Sequence, residues 1–81
     1  METTLNPEIR HELEKSMFAI YKENYPTIFS FVKECVKKGY TPSQVATFFG
    51  KKFGRDRSDR LQAAQISLVA SYLIHCPQDA A

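Results

Sequence analysis

The chain has only two cysteines, Cys35 and Cys76, among its 81 residues. Two thiols make no disulfide framework. Both fall on apolar helical faces, so the expectation is buried thiols in a reducing cytosol. Only three glycines occur, and no Gly-rich phosphate loop or HExxH motif is present. No stretch reaches the roughly 18 to 20 apolar residues of a membrane span. Leu61 to Gln78 carries no formal charge but is interrupted by Gln62, Gln65, Ser67, Ser71 and His75. The start, Met1-Glu2-Thr3-Thr4, has neither the basic nor the apolar part of a secretory leader. Strand-like alternation, hairpin signals, repeats and low-complexity segments are missing too. These absences point to a cytoplasmic protein without membrane or cofactor.

What remains is enough for one small domain. A folded chain of 9.3 kDa exposes about 5,000 Å² against about 13,500 Å² when extended. That permits one core and excludes a two-domain enzyme, a wide barrel or a nucleotide-binding sheet with cover helices. The expectation is a single helical domain over 1–81, with fraying at 1–5 and 78–81.

Proline, asparagine and glycine punctuate four helices. Asn6-Pro7 starts the first, over about 7–23, with Glu8 near its positive end. Its apolar arc is Ile9, Leu13, Met17, Ile20 and Tyr21, within about 120°. Pro26 opens the second, 26–38, whose apolar residues are Ile28, Phe29, Val32, Cys35 and Val36; Gly39 ends it. Thr41-Pro42 opens a short third helix, 42–53, which buries Val45, Ala46, Phe49 and Phe53, while Gly50 weakens it. Asp56 or Ser58 caps a fourth, 57–76, stopped by Pro77. Leu61, Leu68, Val69, Tyr72 and Cys76 fill a broad arc on it, extended by Ile66, Ala70 and Leu73. Only Ala64, Ser67, Ser71 and His75 form a weakly polar stripe. A helix apolar nearly all round is buried on several sides. The fold class expected is therefore an all-α bundle of about four helices, the last one central, or paired in part with a second copy of the chain.

Charge is unevenly spread, although the net charge is only +2. Residues 1–24 set five glutamates against Arg10, Lys15 and Lys22. Residues 25–60 set eight basic residues against Glu34, Asp56 and Asp59, and Asp79 is alone in 61–81. A positive face built from the middle of the chain follows. Its candidates are Lys33, Lys37 and Lys38 on the second helix, then Lys51, Lys52, Arg55, Arg57 and Arg60 in the basic segment. That segment suits phosphate contact at a helix start, and it equally suits a solvated loop whose aspartates pair with the arginines. Phe18 and Phe48 are the aromatic candidates beside it, suited to a protein interface or to base stacking.

A divergent helix-turn-helix over Thr41–Gln65 is the alternative. Val45, Ala46 and Gly50 have the spacing, but Asp56 and Asp59 stand where the second helix needs apolar residues. With a longer turn, Arg57, Arg60 and Gln62 become the base-edge candidates. Catalysis has no constellation: His75 and Cys76 are adjacent, about 100° apart on a helix, and His11 stands among glutamates. No local pair of metal ligands appears. The expectation is a non-catalytic regulatory or accessory protein, a role that also fits an inhibitor. It docks on a protein or nucleoprotein partner through a basic, aromatic-flanked surface. Double-stranded DNA is the partner in the alternative, and a homodimer is compatible with either.

Overall fold

The computed structural model describes residues 7–53 and 60–80, with Arg60, Asp79 and Ala80 in backbone only. Four helices follow in order: α1 Pro7–Asn24, α2 Pro26–Lys37, α3 Pro42–Phe53 and α4 Arg60–His75, then a 3-10 turn at Pro77–Ala80. No strand occurs among the described residues, and the fold is a small all-α bundle. The cap expected at Asn6 and the starts expected at Asp56 or Ser58 lie outside the described residues.

Local chemistry sets each joint. The single residue Tyr25 separates α1 from α2. Its N–H still donates to the Tyr21 carbonyl at 3.0 Å, and its carbonyl already accepts from Phe29 at 2.8 Å. Pro26 has no N–H to continue α1, and its ring pushes Tyr25 out of helical geometry, to φ −133° and ψ 62°. α2 ends in a Schellman motif: Gly39 N–H donates to Val36 (3.0 Å) and Tyr40 N–H to Cys35 (3.3 Å). Gly39 takes φ +90°, a conformation that strains any residue with a Cβ. Thr41 then closes a capping box. Its hydroxyl accepts from Gln44 N–H at 3.2 Å, and Gln44 Oε1 accepts from Thr41 N–H at 2.9 Å. α3 runs on through Gly50 to Phe53.

α4 is central and packs against α1, α2 and α3. Ile66, Val69, Ala70 and Leu73 are fully buried on it, with Val32, Val45 and Phe49 in the same core. α1 runs antiparallel to α4: Tyr21 meets Gln62 and Gln65, while Glu14 meets Ser71.

Two helices are turned relative to the sequence expectation. On α1 the inward residues are Glu14, Met17, Phe18 and Tyr21, while Ile9, Leu13 and Ile20 are 53%, 41% and 41% exposed. At 100° per residue this is a turn of roughly 70° from the apolar arc. The apolar arc takes no account of Glu14, a carboxylate that sits on the buried side with its own partners. On α4 the buried face centres on Ile66, Val69, Ala70 and Leu73. Leu61, placed in the arc, is 73% exposed in the first turn.

Candidate functional site

The α2–α3 connection shapes the leading candidate site. Because Gly39 turns the chain sharply, Tyr40, Thr41 and Pro42 come round beside the C-terminal ends of α2 and α4. Together with Val36, Leu73, Ile74 and Pro77 they line an open cleft of about 850 Å³. Its lining is mostly apolar. Lys33 and Lys37, one helical turn apart on α2, lie on the same wall. Neither forms an ion pair among the described residues. Such a cleft offers an apolar lining and, on its α2 wall, two lysines without ion-pair partners among the described residues.

The other sequence candidates are placed as follows. Lys52 lines a separate, smaller cleft of about 560 Å³ with Pro26, Thr27, Ser30, Phe31 and Glu34, around the α2 circumference from Lys33 and Lys37. Lys38 is exposed at the α2 C-cap and Lys51 is exposed near the end of α3. Arg55 and Arg57 lie outside the described residues, as does the Arg60 side chain. Phe48 is half-buried with its ring 4.9 Å from that of Tyr40, so it backs a wall of the larger cleft. Phe18, expected as an exposed anchor, is half-buried between Tyr72 (4.6 Å) and Phe29 (5.5 Å). The turn of α1 that exposes Leu13 carries Phe18 inward. Lys22 lies over its ring at 5.6 Å. What the sequence reading missed is the outer α1 stripe of Ile9, Leu13 and Ile20.

A polar cluster joins α1 to α4. Glu14 is only 4% exposed. Its Oε2 accepts from Arg10 Nε at 3.0 Å and from the Ser71 hydroxyl at 2.9 Å. His75 Nδ1 lies 3.5 Å from the same hydroxyl. Serine, histidine and carboxylate are thus together, but in the wrong order for nucleophile activation. The serine stands between base and carboxylate, and the residue is buried. The cluster satisfies a buried charge; among the described residues no buried side-chain polar atom lacks a partner. Among the described residues no three His, Cys, Asp or Glu side chains gather to hold a metal ion. No described helix is long and apolar enough to cross a membrane.

The expected helix-turn-helix maps onto α3 and the start of α4. Gln62 Nε2 donates to the Tyr21 hydroxyl at 3.3 Å, and Gln65 Oε1 accepts from that hydroxyl at 2.7 Å. Both glutamines are therefore engaged with α1, and α4 packs against α1, α2 and α3. No protein-family model matches the chain, and no curated protein or solved structure is significantly similar to it.

Proposed function

We propose that this protein is a non-catalytic regulatory or accessory binding module that docks on a protein partner through the cleft between α2, the α2–α3 turn and the end of α4. The occupant is an apolar segment with carboxylates along one edge. The observation that carries this reading is the pairing of an apolar floor with Lys33 and Lys37, which have no ion-pair partners among the described residues. Apolar residues filling a concave site supply affinity, while rim cations steer encounter and fix orientation. Phe48 supports the Tyr40 wall. The engagement of Gln62 and Gln65 with Tyr21 favours this reading over base recognition by α4.

The test is fluorescence anisotropy with two labelled probes: a synthetic amphipathic helical peptide carrying leucines on one face and glutamates beside them, and a random-sequence DNA duplex. The peptide is expected to bind, and Lys33→Glu/Lys37→Glu is expected to weaken it at least tenfold without changing the circular dichroism. Sub-micromolar duplex binding with a steep salt slope, indifferent to that double variant, would transfer the function to the DNA reading.

A further inference from the structure

The chain carries its own candidate for the cleft. Ile9, Leu13 and Ile20 are spaced by four and seven residues, so they form one stripe along α1. The stripe spans about 16 Å at 1.5 Å per residue. It lies on the flank of α1, roughly 110° around the helix from the residues that meet α4, and all three residues are exposed. On the helix surface Ser16, Glu23 and Glu12 follow along one edge of it, and the two glutamates are exposed. An apolar stripe with carboxylates on one edge is the complement of an apolar cleft with lysines on one edge. The same segregation is visible at chain level, since residues 1–24 are acidic on balance and residues 25–60 basic.

We propose that the outer α1 face of one copy seats in the lysine-rimmed cleft of a second copy. This rests on the cleft reading above and names a partner for that site. The two surfaces of one chain cannot meet each other, because α1 is fixed on α4 by its inward face, through Glu14, Phe18 and Tyr21. The contact therefore joins different patches, head to tail, and leaves a free cleft at one end and a free stripe at the other. It extends into a ring or a short open chain. A three-residue stripe in one cleft is a small interface, so association is weak, concentration-dependent and reduced by salt.

Sedimentation velocity of the full chain over a wide concentration range, at low and at high salt, is the first measurement. The weight-average mass is expected to rise with concentration at low salt and to fall back at high salt. Two variants then separate the surfaces: Leu13→Lys spoils the stripe and Lys33→Glu/Lys37→Glu spoils the cleft. Ile20→Lys is the second stripe variant should Leu13→Lys fold poorly. Each variant alone is expected to stay monomeric. Mixed in equal amounts they are expected to form a 1:1 dimer and stop there, because one good stripe then meets one good cleft. A wild-type chain that stays monomeric throughout overturns the proposal. So does a cleft variant that still self-associates alone, since that means stripe pairs with stripe. The acidic amphipathic peptide titrated against Leu13→Lys separates the two failures. Peptide binding with a monomeric wild type rejects self-docking and keeps the cleft; no binding by either measure rejects both.

Discussion

The two sides of α4 are built from different chemistry. Toward α3 it presents Ile66, Val69, Ala70 and Leu73 to a core that includes Val45 and Phe49, all of them apolar and buried. Toward α1 it presents Ser71, Gln62 and Gln65 to Glu14 and Tyr21, a hydrogen-bonded seam that buries a carboxylate, with the Tyr72 ring packed on Phe18 beside it. Apolar burial is non-directional and supplies most of the driving force. A buried carboxylate is costly unless each partner stands where it does, so it selects one arrangement over its neighbours more than it adds stability. The α3 side therefore holds the bundle together, and the α1 side fixes which face of α1 points inward. The outer stripe of Ile9, Leu13 and Ile20 is a consequence of the second.

The largest expected effect lies on the apolar side. Phe49→Ala empties the centre of the α3–α4 contact and should cost about 3–5 kcal/mol. Urea denaturation is expected to show a shifted or abolished cooperative transition. A loss below about 1 kcal/mol would mean that the α3 side is not what holds the bundle.

Next comes the seam. Ser71→Ala leaves Glu14 with Arg10 alone and should cost about 1–3 kcal/mol. The double variant Glu14→Leu/Ser71→Ala removes charge and partner together, and it should be more stable than Ser71→Ala. If the double variant were instead the less stable, the seam would be a source of stability in its own right. Tyr21→Phe is milder, because the glutamines it leaves are only part-buried and can turn to water. Removing that hydroxyl should cost about 1 kcal/mol, read from the same denaturation curves.

The smallest effect concerns Cys35. Burial pushes its thiol up from the ordinary 9.0, opposed by Lys38 and helped by Glu34. The neutral thiol is thus favoured in the fold. This contribution to stability is complete below the unfolded thiol's pKa and is lost as pH rises through the raised folded value. Stability measured from pH 8 to pH 10 should fall slightly, and Cys35→Ala should flatten that part of the fall. In the native state a thiol reagent should label the half-exposed Cys76 faster than the buried Cys35.

Much of the fold was legible because its signals are local. Pro26, Gly39 and the Thr41-Pro42 pair act on backbone groups within a few residues, so the ends of α2 and the start of α3 follow from sequence alone. The centrality of α4 was legible from its nearly unbroken apolar surface. The facing of α1 was not. A helical wheel ranks Glu14 as solvent-facing, and only Ser71, 57 residues on, makes it an interior residue. The leading site was half legible: Lys33 and Lys37 stood out by charge, but they gather with Leu73, Ile74 and Pro77 only after α2 and α4 are packed together.

The sequence by itself determined four helices, the α1–α2 and α2–α3 joints and a segregation of acidic from basic residues, since each depends on near neighbours or on composition. Tertiary structure alone decided that α1 turns its isoleucines and Leu13 outward, that Phe18 goes in, and that Lys33 and Lys37 border a cleft while Lys52 lines another. Those outcomes depend on which faces meet across the bundle. They are fixed by the fit of apolar volume and by a buried carboxylate whose partner lies far along the chain.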